Sequence, residues 1–375
     1  KVIRSKVIKC LEVNSRDEME TELAQFRKSY PYEALEIRVR TDYILDYDEY
    51  CNDKNLRLVD VDSEYDVLYE GGTYSVIVHE EKILKETFSG WSNLTSIVLL
   101  STTTIEESAF EQCFRLRSLT LPEGLTYIGN YAFKRLTKLK KLTLPKSLIH
   151  IGKGAFYKCG VTSVIFPESP AGLIYIGEKA FEGCTRLTTV TFPDELYALG
   201  HSAFRGCERL NSLVLPKLIH LGDSTFENCI SLTSVNLPKN LKYISRHAFQ
   251  NCIRLRSITL PNSVMNIRES AFECTSLRSV TFPKGLLNID EYAFKNCIRL
   301  TSVTLEHADT TIDTNVFEGC INLTSVSYPL SYPSQMADAK IFRLLRQKRQ
   351  NTREVEANPS TDEDYISSDE DCLIA

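Results

Sequence analysis

The sequence lacks the short signatures that usually mark an active site. It contains no G-x-x-x-x-G-K-[ST], G-x-S-x-G, H-E-x-x-H or G-x-G-x-x-G, so no phosphate loop, nucleophile elbow, zinc helix or dinucleotide turn is expected. Its six histidines are scattered and pair with no recurrent carboxylate. No residue is therefore nominated as catalytic, no metal or cofactor is expected, and a non-enzymatic protein is. No apolar run reaches eighteen residues, so no membrane-spanning helix is expected. Twelve cysteines are present without a single C-x-x-C, at long regular intervals unlike those of zinc ligands. The net charge is −5 and acidic and basic residues are interspersed through most of the chain. Nucleic acid, which needs a clustered basic face, is not expected as a partner. Position 1 is Lys rather than Met, which leaves room for a trimmed N-terminus, a removed signal peptide included.

What is present is repetition. "AFEQCFRLRSLTLPEGLTYIG" at 109–129 returns, altered, down most of the chain. Aligned on Phe88, Phe110, Phe133, Phe156, Phe181, Phe204, Phe226, Phe249, Phe272, Phe294 and Phe317, the steps are 22, 23, 23, 25, 23, 22, 23, 23, 22 and 23 residues. A period so constant denotes a solenoid whose units pack on their neighbours. Within a unit, alternation such as Leu116, Leu119 and Leu121 puts apolar side chains on one face of a short strand. A proline that cannot donate to a ladder ends nine of the eleven strands, Pro122 and Pro238 among them. Glycines at 129, 152, 177, 200 and 222 are read as turn positions with positive φ. The A-F pair opens a short helical or 3₁₀ turn on the opposite side, because no unit has room for a full helix.

These units resemble the BspA-like leucine-rich repeats of bacterial and protist surface proteins, over about residues 74–329. The fold expected is a leucine-rich repeat solenoid of about eleven repeats of 22–25 residues. It would carry one continuous curved parallel β-sheet, short 3₁₀, helical or turn segments on the opposite side, and N- and C-terminal caps. Residues 1–73 are read as a capping region with degenerate repeats. "LEIRV" and "NLRLVDV" look like strands, and Met19, Leu23 and Phe26 have helical spacing.

One slot holds Trp91, Cys113, Leu136, Cys159, Cys184, Cys207, Cys229, Cys252, Cys274, Cys297 and Cys320. Because Trp and Leu also occur there, it is read as an apolar slot filled by buried reduced thiols. Outward strand positions are mostly Ser and Thr, as at Ser118, Ser234 and Thr259, which suits cross-strand pairing on a soluble sheet. The position before the repeat isoleucine carries Tyr127, His150, Tyr175, Ala198, His220 and Tyr243. Stacked coils would set Tyr127, His150, Tyr175, His220 and Tyr243 side by side as a partner-binding stripe. The insertion "ESPAG" at 168–172 would form a loop beside it.

Residues 330–350 are read as a basic amphipathic helix or cap, and 351–375 as an acidic disordered tail. Ser360, Thr361, Ser367 and Ser368 precede acids and are candidate phosphorylation sites. The ending Cys372-Leu373-Ile374-Ala375 reads C-a-a-X, making Cys372 a candidate for prenylation. One lipid binds reversibly, so Lys348 and Arg349 would supply a second contact to an anionic membrane. The expected function is a scaffold for protein partners, tethered by lipid to the cytoplasmic face of a membrane. Two alternatives stay open: a secreted or cell-surface adhesin binding host or matrix proteins, and a structural spacer in a larger assembly. Sequons at Asn93 and Asn322 are compatible with a secretory route.

Overall fold

The structure is a computed structural model of the 375-residue chain. It describes residues 9–13, 20–21, 23–25, 28, 35–39, 56–61, 65–70, 73–166, 172–173, 175–307 and 310–327. The repeats stack as a succession of similar coils, about eleven in all, with almost no helix among the described residues.

Each coil begins with a strand such as Ser118–Thr120, Lys141–Thr143 or Ser234–Asn236. Its middle residue points inward and its flanking residues outward, as the alternation requires. A second strand of only two residues follows, for example Tyr127–Ile128 or His150–Ile151, with the aliphatic residue buried. The solenoid therefore carries two parallel sheets where the sequence suggested one. Their strands pair with the same position of the next coil: Lys141 with Ser163 in the front sheet, Tyr127 with His150 in the side sheet.

Neither sheet is continuous. The front sheet comprises a seven-stranded part, then groups of three, two and three strands, and the side sheet comprises seven and then four. A phenylalanine column runs unbroken through these gaps. From Phe88 to Phe294 every member is fully buried, and successive rings stack with centroids 5.0 to 5.7 Å apart.

The third side of the coil is neither helix nor strand. Two residues per coil take the left-handed conformation, as in Ser108 (φ 53°) and Gln112 (φ 64°), or Ser224 (φ 56°) and Asn228 (φ 60°). Of the 3₁₀, helical or turn segments expected on this side, turns are what form, with bonds such as Glu111 N to Ser108 O at 3.1 Å. The N–H groups of the two left-handed residues, with that of the phenylalanine between them, all point toward the next coil. Ser108, Phe110 and Gln112 donate to the carbonyls of Asn130, Ala132 and Lys134 at 2.9, 2.7 and 3.0 Å. Backbone groups on this thin side are thus satisfied between coils rather than within a helix.

The glycines predicted to need positive φ do not have it. Gly129, Gly152, Gly177, Gly200 and Gly222 are absent from the left-handed set, which includes Gly154, Gly183 and Gly206. They are glycine because the preceding coil lies against them. A Cβ at Gly129 would sit 2.7 Å from the carbonyl carbon of Glu106, and one at Gly177 would sit 2.6 Å from that of Gly152.

N-terminal to the first full coil, the front sheet is extended by Lys9–Val13, Leu35–Val39, Leu56–Val61, Tyr65–Glu70 and Thr73–Val78. The first three pair in parallel and the last three antiparallel. Glu20, Thr21, Leu23, Ala24, Gln25 and Lys28 are helical, and Leu23 packs against the core.

Candidate partner-binding stripe

The slot after each phenylalanine is more than an apolar filler. The thiol of Cys113 donates to the carbonyl of Phe88 one coil earlier, at 3.0 Å. The same bond recurs from Cys184 to Phe156, Cys229 to Phe204 and Cys320 to Phe294, at 3.2, 3.4 and 3.0 Å. A small side chain with a weak donor suits a buried carbonyl that Leu136 cannot reach by hydrogen bonding. Burial pushes the Cys113 and Cys184 thiols up to about 12, which keeps them protonated. Eight cysteines of this ladder are free and buried.

Cys274 does not belong to the ladder. It lies two residues after Phe272 rather than three, in the left-handed column (φ 57°), and it is disulfide-bonded. Thr275 fills the slot, buried, with its hydroxyl 2.9 Å from the Phe272 carbonyl and 3.2 Å from the Cys297 sulfur. Aligning that repeat on its strand rather than on its phenylalanine misplaces the cysteine by one residue.

All five predicted stripe residues occupy the outward position of the side sheet. Tyr127, His150, Tyr175, Ala198 and His220 are successive partners in one ladder. Tyr243 starts the second segment and continues into Asn266 and Asn288. The rings are grouped rather than uniform. Tyr127 and His150 stack at 4.7 Å and 6°. Partial burial in that stack depresses the His150 pKa, favouring the neutral imidazole. Tyr175 leans over the next coil, where a Cβ at Gly200 would lie 2.7 Å from its hydroxyl. His220 and Tyr243 lie nearly parallel at 6.5 Å.

Tyr197 completes the second group and was missed by the sequence reading. It sits one residue before the stripe position, half exposed, and meets His220 edge-on at 6.1 Å. The signal for it was Ala198, the one position in that part of the stripe with no ring or imidazole.

Within this second group, between His220–Leu221 and Tyr243–Ile244, the side sheet is interrupted. There the run of close-approach glycines ends and Ser245 takes the place, its hydroxyl donating to the Leu221 carbonyl at 2.6 Å. The seam opens a cleft of about 420 Å³ lined by His220, Asp223, Tyr243, Ser245, Arg246 and Arg268. Asp223 is turned toward the backbone, accepting from the Arg246 amide at 3.2 Å. Arg268 lies 6.0 Å from the centre of the Tyr243 ring and pairs with Asp290 at 3.3 Å on an exposed surface. Arg246 reaches Glu269 only at 3.9 Å. Both guanidiniums keep donors available to a ligand, since exposed pairs of this kind contribute little.

No group of three or more metal-ligating side chains occurs among the described residues, and among them no helix is long and apolar enough to cross a membrane. The candidate modification and membrane residues Cys372, Lys348, Arg349, Ser360, Thr361, Ser367 and Ser368 lie outside the described residues, as does most of the insertion at 168–172.

Three comparisons place this architecture. No curated protein matches the chain. Among solved structures, a leucine-rich repeat protein from Bacteroides ovatus is 23% identical with a TM-score of 0.53, over 76% of this chain and 71% of its own. A leucine-rich cell surface protein from Faecalibacterium prausnitzii is 21% identical with a TM-score of 0.44, over 88% of this chain and 85% of its own. The BspA type leucine-rich repeat region matches in six copies, over residues 75–171, 168–273 and 219–337. With that profile covering more than half its length, and with one coil per 22–25 residues stacked in parallel, the chain belongs to the BspA-type leucine-rich repeat family.

Proposed function

We propose that the protein is a non-enzymatic scaffold that binds a protein partner through its side sheet. The observation that carries this reading is the cleft at the sheet seam, where Tyr243, Arg246 and Arg268 converge beside Tyr197 and His220. Tyr and Arg dominate the energetics of protein interfaces, because each brings large contact area and directional donors. The front sheet offers mainly hydroxyls and makes a poorer anchor. A partner inserting an aromatic or acidic side chain would meet a ring, an imidazole and two guanidiniums.

The test is affinity capture with the parent protein and with Tyr243→Ala/Arg268→Ala, each checked for an unchanged unfolding transition. A partner bound through this cleft is lost from the double variant, with Kd weakened by about tenfold or more. It is retained by Ser212→Ala/Ser234→Ala on the front sheet. A partner captured equally by both variants refutes the assignment of the surface. Whether the partner is intracellular or, as for an adhesin, a host protein is decided by its identity. The finer reading, in which Cys372 carries a lipid and Lys348 and Arg349 meet an anionic membrane, is a proposal from sequence alone. The intact mass of protein from its native cell tests it.

A further inference from the structure

Folding segregates charge that the linear sequence interleaves. Consider the segment of each coil from the cysteine slot to the end of the front strand. Across the repeats these segments hold Arg115, Arg117, Lys138, Lys140, Lys141, Arg186, Arg209, Arg254, Arg256, Arg278 and Arg299, against one acid, Glu208. Glu123, Asp194, Glu195 and Glu306 follow the front strands, but other acids of the repeats lie on the turn side, where Glu111, Glu178, Glu227 and Glu318 pair with Lys134, Lys153, Arg205 and Lys295.

The cations fall into two columns. Arg115, Lys138, Arg186, Arg209, Arg254 and Arg299 share one position, and Arg117, Lys140, Arg256 and Arg278 another, two residues on, while Lys141 stands on the strand itself. The second column is held in register by backbone bonds between neighbouring coils, including Arg117 N to Thr95 O at 2.9 Å, Thr162 N to Lys140 O at 2.9 Å and Arg278 N to Arg256 O at 3.3 Å. Where threonine stands in this column its hydroxyl bonds the preceding carbonyl, as Thr162 does with Lys140 at 3.1 Å. A lysine or arginine there extends into solvent instead. All eleven cations are exposed, and, Arg299 apart, they make no ion pair or side-chain hydrogen bond among the described residues. The densest group spans two adjacent coils: Arg115, Arg117, Lys138, Lys140 and Lys141, beside the hydroxyls of Ser118, Thr120 and Thr143.

We infer that this edge of the front sheet binds a linear sulfated polysaccharide. Unpaired cations that recur at the same positions of several coils match a chain carrying anionic groups along its length, and arginine suits planar or tetrahedral oxyanions. Adjacent hydroxyls match sugar hydroxyls. The same surface fits nucleic acid poorly. Single strands are held by successive aromatic platforms, and beside the cations only Phe114, 40% exposed, offers a ring. Duplexes are read by an element that enters a groove, and a flat sheet edge has none. This surface is separate from the side-sheet cleft, so the two proposals stand or fall independently.

The experiment measures binding of the full chain to a heparin dodecasaccharide, at several salt concentrations, by calorimetry. The expected result is salt-sensitive binding that a desulfated dodecasaccharide does not show. Lys138→Ser/Lys140→Ser should lower the slope of log K against log salt by about two, one per contact removed. Lys153→Ser/Lys179→Ser, on the turn side, should leave it unchanged. Thermal unfolding of each variant shows that the solenoid is intact. The inference is overturned if the Lys138/Lys140 variant binds as the parent does. It is overturned equally if polyglutamate or a twelve-nucleotide oligothymidylate binds as tightly as the heparin fragment, since charge alone or nucleic acid would then account for the edge.

Discussion

Gly129→Ala tests whether close coil approach, rather than backbone handedness, fixes the glycine column. The added Cβ would lie 2.7 Å from the Glu106 carbonyl carbon and 2.8 Å from the Glu107 nitrogen. Both are backbone atoms, so no side chain can swing away. Ordinary contact begins near 3.4 Å, so the two coils must part locally by about 0.7 Å (3.4 − 2.7). The bonds across this junction include Gly129 N to Ile105 O at 2.8 Å and Thr126 N to Thr103 O at 2.9 Å. Stretching them by that amount takes them to or beyond the hydrogen-bond limit. Two bonds at about 1 kcal/mol each, with an overpacking cost of about 1–3 kcal/mol, give a loss of about 3–5 kcal/mol. Gly206 is the control. It has φ 68° and nothing closer than 3.8 Å to an added Cβ, and Asn228 and Asn251 occupy its column in later coils. Gly206→Asn should therefore change stability by less than about 0.5 kcal/mol. Urea unfolding followed by circular dichroism gives both values, and amide exchange at Gly129 and Thr126 reports whether the junction has opened. If Gly129→Ala costs no more than Gly206→Asn, the close-approach explanation is wrong.

Other consequences can be measured on the same material. Phe249→Ala removes a fully buried ring stacked 5.7 and 5.5 Å from its neighbours and should cost about 3–5 kcal/mol, whereas Ser234→Ala on the front face should cost less than about 0.5 kcal/mol; equal costs would mean that inside and outside are misassigned. The ladder thiols should resist a thiol reagent in the folded protein and react once it is denatured; fast native reaction would contradict their burial. Because burial raises Cys113 and Cys184 from 9.0 to about 12, the folded state holds protons that the unfolded chain has lost. Their contribution to stability is present below pH 9 and declines as pH rises toward 12, so the unfolding midpoint should fall over that window and fall less in Cys113→Ala/Cys184→Ala.

Much of this architecture could be read from the one-dimensional pattern. A constant period with phenylalanine, leucine and isoleucine in fixed places makes the same positions stack, and apolar alternation assigns each to core or surface. The phenylalanine column, the inward leucines and the alignment of Tyr127, His150 and Tyr175 in one row follow from that alone. The stripe's grouping did not follow, since pairing Tyr127 with His150 while Tyr175 leans on Gly200 depends on rotamers and coil spacing.

Periodicity carries no information about φ or about distances between coils. The left-handed residues of the coils are Ser, Gln, Lys, Tyr, Asn, Glu, Arg, His, Cys or Gly by turns, so composition hides a conformation that the inter-coil hydrogen bonds accompany. The glycines looked like turn residues and proved to be contact residues for the same reason. Thr275 displaced Cys274 because a deletion can be placed on either side of the slot in sequence, and only packing against Phe272 chooses. Charge is the widest gap between the two levels. Lysines and glutamates that alternate along the chain are sorted by a 23-residue turn onto different edges, since neighbours across coils are set by the period rather than by adjacency. Sequence determined which residues stack; the distance between the stacked coils decided what they do to one another.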